Sequence, residues 1–389
     1  MPTGRTVFAQ LMDVIPRRAF ETCVQRYHGA HRVHSFSCYD QFLCMAFAQL
    51  TYRESLRDIE TCLRALQPKL YHAGLRGRVA RSTLADANET RDWRIYGDFA
   101  QTLIRRARSL YRDEPFAVEL AQTAYAFDAT TIDLCLALFP WARFRRTKAA
   151  VKLHTLLDLQ GHIPTFVAIT DGKAADVTLL DALVIEPGAF YVLDRGYTDF
   201  GRLHRLTEAL AFFVIRGKRG LDSVRRLSRP VDKTTGLRSD QTIVLCGPKT
   251  ATLYPVPLRR VTYVDLDTQQ RFVFLTNNFT LPALQITQLY KCRWQVELFF
   301  KWIKQHLRIK AFYGTSMNAV KTQVWIAISV YVLVAILKKD LRTDRSLYEL
   351  LQILSLTLFE RVSLFQIVTA FPEQDLPDDP CNQLPLFDL

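Results

Sequence analysis

Apolar positions in the first part of the chain recur at helical spacing. Up to about residue 115 few runs alternate in the manner of strands. Leu56, Ile59, Cys62, Leu63 and Leu66 fall on one face of a 3.6-residue helix. A basic, glycine-containing connection at 72–81 follows, and Ser82 and Thr83 then offer caps for a helix through 84–93. Two helices bridged by a basic segment fit either a helix-turn-helix reader of DNA or an ordinary helical bundle.

The texture changes after residue 115. Residues 124–136, 151–159 and 163–170 read as three strands, the last two joined by a turn at Gln160, Gly161 and His162. A helix at 175–184, a strand at 189–193, a helix at 200–210 and a strand at 211–217 follow. A meander that gives way to alternating helices and strands predicts a mixed α/β sheet. Between about 221 and 282 the chain is rich in strand-like runs punctuated by Pro and Gly, as expected of an inserted, mostly antiparallel subdomain. A long helix is predicted from about 282 to 309. The apolar run at 325–337 is too short to span a bilayer and is expected to be a buried core helix. The tail, 371–389, is rich in Pro and Asp and is expected to be loose.

Charge adds a partner to this picture. The chain has 389 residues, of which 51 are Lys or Arg and 38 Asp or Glu, for a net charge of +13. An excess of this size favours a polyanion, because a basic surface gains affinity by displacing counterions from phosphates. Residues 141–152 carry five cations and no acid, and residues 216–233 carry seven cations against two acids. The two runs flank candidate catalytic segments, as the walls of a nucleic-acid channel would. Eight scattered cysteines without a CxxC pair, and no signal peptide at the start, suggest reduced thiols and a cytoplasmic protein with no membrane partner. His28, His31, His34 and Cys38 are closely spaced but match no standard zinc pattern, and they are expected to be ordinary surface or core residues.

Three acids stand out. Asp128 follows the apolar run 124–127 inside a predicted strand, where a charge is costly unless it is paired or bound to metal. Asp194 ends the strand at 189–193, and ligand crevices form at the carboxyl ends of strands in open α/β sheets. Glu297 lies on the predicted long helix with Tyr290, Arg293 and Lys304. At offsets of 0, 3, 7 and 14 the four fall within an arc of about 60°. A salt-bridged solvent face would explain a Glu297–Lys301 pair but not Tyr and Arg on the same stripe. Phosphodiester chemistry does explain the set. Carboxylates can hold divalent ions that activate an attacking oxygen and stabilise a leaving one, while Arg and Lys grip phosphates.

Tyr290, Arg293, Glu297 and Lys304 form Y-x2-R-x3-E-x6-K, which resembles the signature of bacterial DDE transposases of the insertion-sequence-4 family. Asp128 in FDATTIDL and Asp194 in LDRGYTDF are similar to that family's two catalytic Asp motifs. Residues 81–92 resemble the N-terminal region of one branch, and the likeness runs from about residue 5 to 340. The resemblance implies an α/β fold: a ribonuclease-H-like catalytic core with a β-rich insertion, preceded by a helical N-terminal DNA-binding region. It implies Asp128, Asp194 and Glu297 as catalytic residues and ligands of Mg2+, with Mn2+ as a substitute. It also implies that Tyr290, Arg293, Trp294 and Lys304 contact DNA. Some members stack a flipped base on an aromatic side chain, for which Trp294, Tyr254, Tyr263, Phe272 and Phe274 are candidates.

The expected organisation is a helical end-binding region at 1–115, a core at 116–220 and 283–340, a β-rich insertion at 221–282, and a C-terminal helix and tail at 341–389. The expected function is cleavage of insertion-sequence ends and joining of the 3′-hydroxyl to target DNA. The partners are then double-stranded DNA, as terminal inverted repeats and target, and a second copy of the chain in a synaptic homodimer at the bacterial nucleoid. The rivals are a metal-dependent nuclease without strand transfer and a catalytically inert, transposase-derived DNA-binding protein. A glycosidase fits poorly, because a cationic stripe has no use for a neutral sugar.

Overall fold

The computed structural model describes residues 4–369 except 32, 34, 76, 117, 219 and 307–311. Helices α1 (Val7–Met12), α2 (Arg17–Arg26), α3 (Cys38–Leu50), α4 (Leu56–Ala65), α5 (Gln67–Leu70), α6 (Arg81–Thr90) and α7 (Arg94–Leu110) build the N-terminal part. Ser37 and Asp40 form a reciprocal capping box that starts α3. The helix α6 begins one turn earlier than its sequence signals suggest. Ala80 is its cap position, and Ser82 and Thr83 lie inside its first turn without a capping bond.

The sheet begins with β1 (Ala124–Leu134), β2 (Arg143–Arg145), β3 (Lys148–Asp158), β4 (Ile163–Asp171) and β5 (Phe190–Leu193). It continues through α8 (Phe200–Glu208), β6 (Phe212–Arg216), β7 (Ser223–Arg229), β8 (Leu237–Leu245), α9 (Pro248–Leu253), β9 (Leu258–Val264) and β10 (Arg271–Thr276). Strand order is β2-β3-β1-β5-β6-β10-β9-β8-β7, with β4 also on β3. The pairs β1·β3 and β3·β4 are antiparallel, while β1·β5 and β5·β6 are parallel. An antiparallel meander running into two parallel strands is the ribonuclease-H-like arrangement. Gly161 in the β3–β4 turn allows α7 to come close, since a Cβ there would sit 2.6 Å from that of Tyr111. The segment at 175–184 is a 3-10 turn over Asp176–Ala182 rather than an α-helix.

The β-rich segment after residue 221 joins the same sheet, because β10 pairs with β6. Its internal anchor is a buried ion pair. Arg259 donates to both oxygens of Asp240 at 2.9 and 2.8 Å, and to the carbonyls of Asn278 (3.3 Å) and Leu281 (2.6 Å). These bonds fix the turn that leads into α10 (Ala283–Lys291).

The helix expected from 282 to 309 is two helices, α10 and α11 (Trp294–His306). At the junction, Arg293 N–H bonds Tyr290 O and Val296 N–H bonds Arg293 O, each at 3.1 Å. The tighter i→i+3 pattern interrupts the α-helix. The chain ends with α12 (Met317–Asp340), α13 (Leu347–Thr357) and α14 (Leu364–Thr369); residues 371–389 lie outside the described ones. The apolar run at 325–337 is the middle of α12, whose 24 residues meet the length and composition of a membrane span. It is buried instead, packed against α7, α3 and α6.

Two hydrophobic layers result. One lies between the N-terminal helices, α10, α11 and α12 and the sheet face that carries Ala126, Val192 and Val214. The other lies under α8 and the 3-10 turn, on the face that carries Phe127, Leu193 and Ile215. The cysteines among the described residues are free thiols. Asp240→Ala would strand the buried Arg259 charge and is expected to lower unfolding free energy by about 3–5 kcal/mol in urea titrations. An unchanged midpoint would mean that the β8–β9 anchor is dispensable.

Candidate active site

Strand register brings the two aspartates together. Phe127 is paired with Leu193 across β1 and β5, so Asp128 and Asp194 are the next residues on neighbouring parallel strands. Alternation puts both on the sheet face beneath the helical layer. Glu297 occupies the first turn of α11, which packs on β1. The three expected carboxylates therefore come to one place from three elements far apart in sequence.

They do not share an empty centre. Arg293 Nη1 donates to Asp128 Oδ2 at 2.8 Å, and Nη2 donates to Glu297 Oε1 at 2.6 Å. Tyr290 Oη donates to Asp194 Oδ1 at 3.1 Å. The Ala129 N–H donates to Asp128 Oδ1 at 2.8 Å. Among the described residues no three His, Cys, Asp or Glu side chains are grouped closely enough to hold one ion. The reason is electrostatic. Burial pushes the Asp128 carboxyl up to about 6, with smaller upward contributions from the Glu297 and Asp194 charges, against the Ala129 N–H and Arg293. The guanidinium supplies positive charge between Asp128 and Glu297, whereas Asp194 has the Tyr290 hydroxyl as its partner. Burial opposes the charge of Arg293 itself, but its anionic surroundings outweigh that and raise its pKa. Arg293 Nε is buried without a hydrogen-bond partner among the described residues.

The remaining candidates are placed as follows. Burial pushes the Tyr290 hydroxyl up to about 12, and its ring lies 5.7 Å from the Arg293 guanidinium carbon. Lys304 Nζ donates to the Thr131 carbonyl at 2.8 Å, which ties α11 to β1. Trp294 is 48% exposed, whereas Tyr254, Tyr263 and Phe274 are buried. Those three fill the cores and offer no free ring face to a base. Phe272 is half-buried, with Phe274 5.9 Å away on one side and the Arg216 guanidinium 5.0 Å from its ring. Tyr197, not singled out in the sequence although it sits in the LDRGYTDF motif, packs its ring on Phe127. Its hydroxyl is buried without a hydrogen-bond partner among the described residues. Burial, then the Asp128 and Asp176 charges, raise its pKa. In the N-terminal region Cys38 donates to the Gly29 carbonyl, and His34 lies outside the described residues. No metal cluster forms there among the described residues.

Residues 119–333 match the family described as transposase DDE domain, more than half of the chain. The chain belongs to the DDE transposase family. Residues 3–76 match a second family, described as a domain of unknown function (DUF4372). The transposase is 34% identical over 305 residues to a chain of Sinorhizobium fredii named as the transposase y4zB, covering 78% of this chain and 82% of that one. It is 31% identical over 208 residues to a Geobacillus stearothermophilus chain named as the transposase for insertion sequence element IS5377, covering 53% and 54%. A Synechocystis chain named for insertion sequence element IS4SA is 22% identical over 320 residues, covering 79% and 86%. Membership makes this chain a DNA-transposing enzyme that depends on a divalent metal. Carboxylates are the donors such a hard ion takes, but as the side chains stand Arg293 lies between Asp128 and Glu297, and Asp194 is held apart by Tyr290.

Behind the carboxylates, on the opposite sheet face, lies a second polar cluster. Lys152 Nζ donates to Asp176 Oδ1 at 2.9 Å and to the Ala174 carbonyl at 2.8 Å, pinning the 3-10 turn to β3. The fully buried His154 is 2.9 Å from Thr170 Oγ1 through Nε2, and its Nδ1 has no hydrogen-bond partner. Burial lowers its pKa from 6.5 to about 4. A proton taken up in this range favours the unfolded chain, so the contribution to stability is complete above pH 6.5 and is lost as pH falls towards 4. His154→Gln is expected to flatten the acid limb of the stability profile over that interval, by up to about 3 kcal/mol. Equal acid limbs for both proteins would show that His154 already charges in the folded state.

Proposed function

We propose that this transposase cuts the terminal inverted repeats of an insertion sequence of the insertion-sequence-4 group and joins the freed 3′-hydroxyl to target DNA. The observation that carries the reading is that Asp128 and Glu297 share the guanidinium of Arg293 while Asp194, on the strand beside Asp128, is bonded by Tyr290 of the same helical segment. Asp128, Asp194 and Glu297 are the proposed ligands of Mg2+, with Mn2+ as a substitute. Bound there, the metal supplies the charge that activates the attacking oxygen and stabilises the leaving one.

The other roles belong to the chain. Arg293 leaves the carboxylates for a phosphate of the transposon end, which its forked donors fit in bidentate geometry. Tyr290 orients Asp194 through its hydroxyl and lies along the DNA path. Trp294 offers its open ring to a base at the cut, and Lys304, at the far end of α11, meets the backbone as a point charge. Residues 1–115 recognise the ends, 116–220 with 283–340 form the catalytic core, and 221–282 serve as its β-rich insertion. Two copies pair the ends in a synaptic homodimer at the nucleoid.

Supercoiled DNA carrying the element's ends, incubated with and without Mg2+, tests this assignment. Asp194→Ala and Glu297→Ala are expected to lose cut and joined products by at least about 10^3-fold, as loss of transition-state charge stabilisation does, while still binding ends. Mutants that cut like wild type would refute the assignment, and cut products that never join would favour the simpler nuclease. A thermal-shift series adds a readout without DNA. Arg293→Ala leaves the carboxylates uncompensated, so Mg2+ is expected to raise its Tm more than that of wild type. An equal shift would mean that Arg293 and the metal do not share this charge.

A further inference from the structure

The sheet extension β10-β9-β8-β7 has two unlike faces. The face turned to the helical layer buries Phe274, Val261 and Leu237, and its arginines are neutralised, Arg259 and Arg229 both pairing with Asp240. The opposite face is apolar only near its root, where Ile243, Leu258 and Leu275 are buried with Tyr254. Beyond that root it carries arginines with no acidic partner among the described residues.

Register assigns Arg225, Arg260 and Arg271 to this second face. Arg225 pairs with Ile243 and Ile243 with Leu258, two residues before Arg260 on the same side of β9. Arg260 is opposite Leu275, four residues after Arg271 on the same side of β10. The three thus lie on a diagonal across the strands. Arg260 bonds only neutral groups, Gln241 Oε1 at 3.2 and 2.8 Å and Ser223 Oγ at 3.3 Å. None of the three makes an ion pair among the described residues, and Arg225 and Arg271 are exposed. Their charges, after burial, lower the pKa of Arg260. Arg226, the extra residue where the register shifts, adds a fourth cation, the third that is exposed, on β7, the outermost strand.

Crowding like charges without a counterion opposes folding, so the face is complete only with an anion from outside. A row of planar, forked donors across a twisted sheet suits a ladder of phosphates. In a DNA transposase that ladder is DNA. Asp128 and Asp194 project from the other face of the same sheet, so a duplex lying here is not the segment at the carboxylates. We propose that Arg225, Arg226, Arg260 and Arg271 form a second, sequence-independent DNA-binding surface, which grips the backbone of a duplex segment distinct from the one being cut.

The test compares wild type with Arg225→Gln/Arg226→Gln/Arg271→Gln, leaving Arg260 in place because it bonds within the sheet. Binding of a long duplex of arbitrary sequence is followed by fluorescence anisotropy across a KCl series. The variant is expected to bind more weakly, with a slope of log K against log salt shallower by roughly 2–3, since each lost phosphate contact removes ~0.9. Its cleavage of a short duplex carrying one end is expected to stay within about twofold of wild type, as the carboxylates are untouched. The matching triple Lys variant keeps the charges and is expected to retain the slope. A Gln variant that melts cooperatively and binds with an unchanged slope overturns the proposal, as does a folded Lys variant that loses the slope. Failure of the carboxylate assignment would look different: Asp194→Ala would still cleave, whatever the slope.

Discussion

The guanidinium of Arg293 binds Asp128 on β1 with one nitrogen and Glu297 on α11 with another, and the layer order around the site depends on that bridge. Asp128 is a carboxylate that follows the buried run Ala124–Phe127 on β1, with Thr155 opposite it on β3. Without a counter-charge its desolvation would oppose docking of the helical layer. With the guanidinium in place, α11 can lie on β1, and the apolar side of α11, including Val296, Phe299, Phe300 and Ile303, closes the core. The break between α10 and α11 falls at Arg293, whose side chain reaches both Asp128 and Glu297. Tyr290, one turn earlier, is left facing Asp194 on the next strand.

The same electrostatics connects the resting site to its chemistry. A site that holds divalent ions must be rich in negative charge, and a folded protein must tolerate that charge before the ions arrive. A forked cation within the site meets both demands, because its donors match carboxylate and phosphate equally well. Catalysis of this kind relies on charge fixed in advance at the reacting oxygens.

On a wider scale the sheet separates two electrostatic regimes. Its helical side neutralises its charges internally, through Arg293 with the acids and through Arg259 with Asp240. On the open side of the extension, Arg225, Arg260 and Arg271 have no acidic partner among the described residues, and internal balance gives way to a demand for a polyanion.

Much of this was legible in the chain itself. Apolar runs bounded by turn residues marked β1, β3, β4, β5 and β6, because strands buried on both faces read as near-continuous apolar segments. The offsets linking Tyr290, Arg293 and Glu297, with two acids after apolar runs, marked residues that the structure brings into contact, while Lys304 bonds the Thr131 carbonyl instead. Local sequence also carried α4 and the capping signals near α6, though not the turn at which α6 starts. Tertiary structure alone decided the rest. The parallel register of β1 with β5 set Asp128 beside Asp194, and no local pattern encodes a pairing across some sixty residues. Burial decided which aromatics remain open: Trp294 and Tyr263 look alike as sequence, but one lies on an exposed helix turn and the other in a core. The length of α12, the continuity of β10 with β6, and the place of Arg293 among the acids also emerged only from packing. Each depends on which distant surface covers a segment, and a periodicity shows that a face is buried without showing against what.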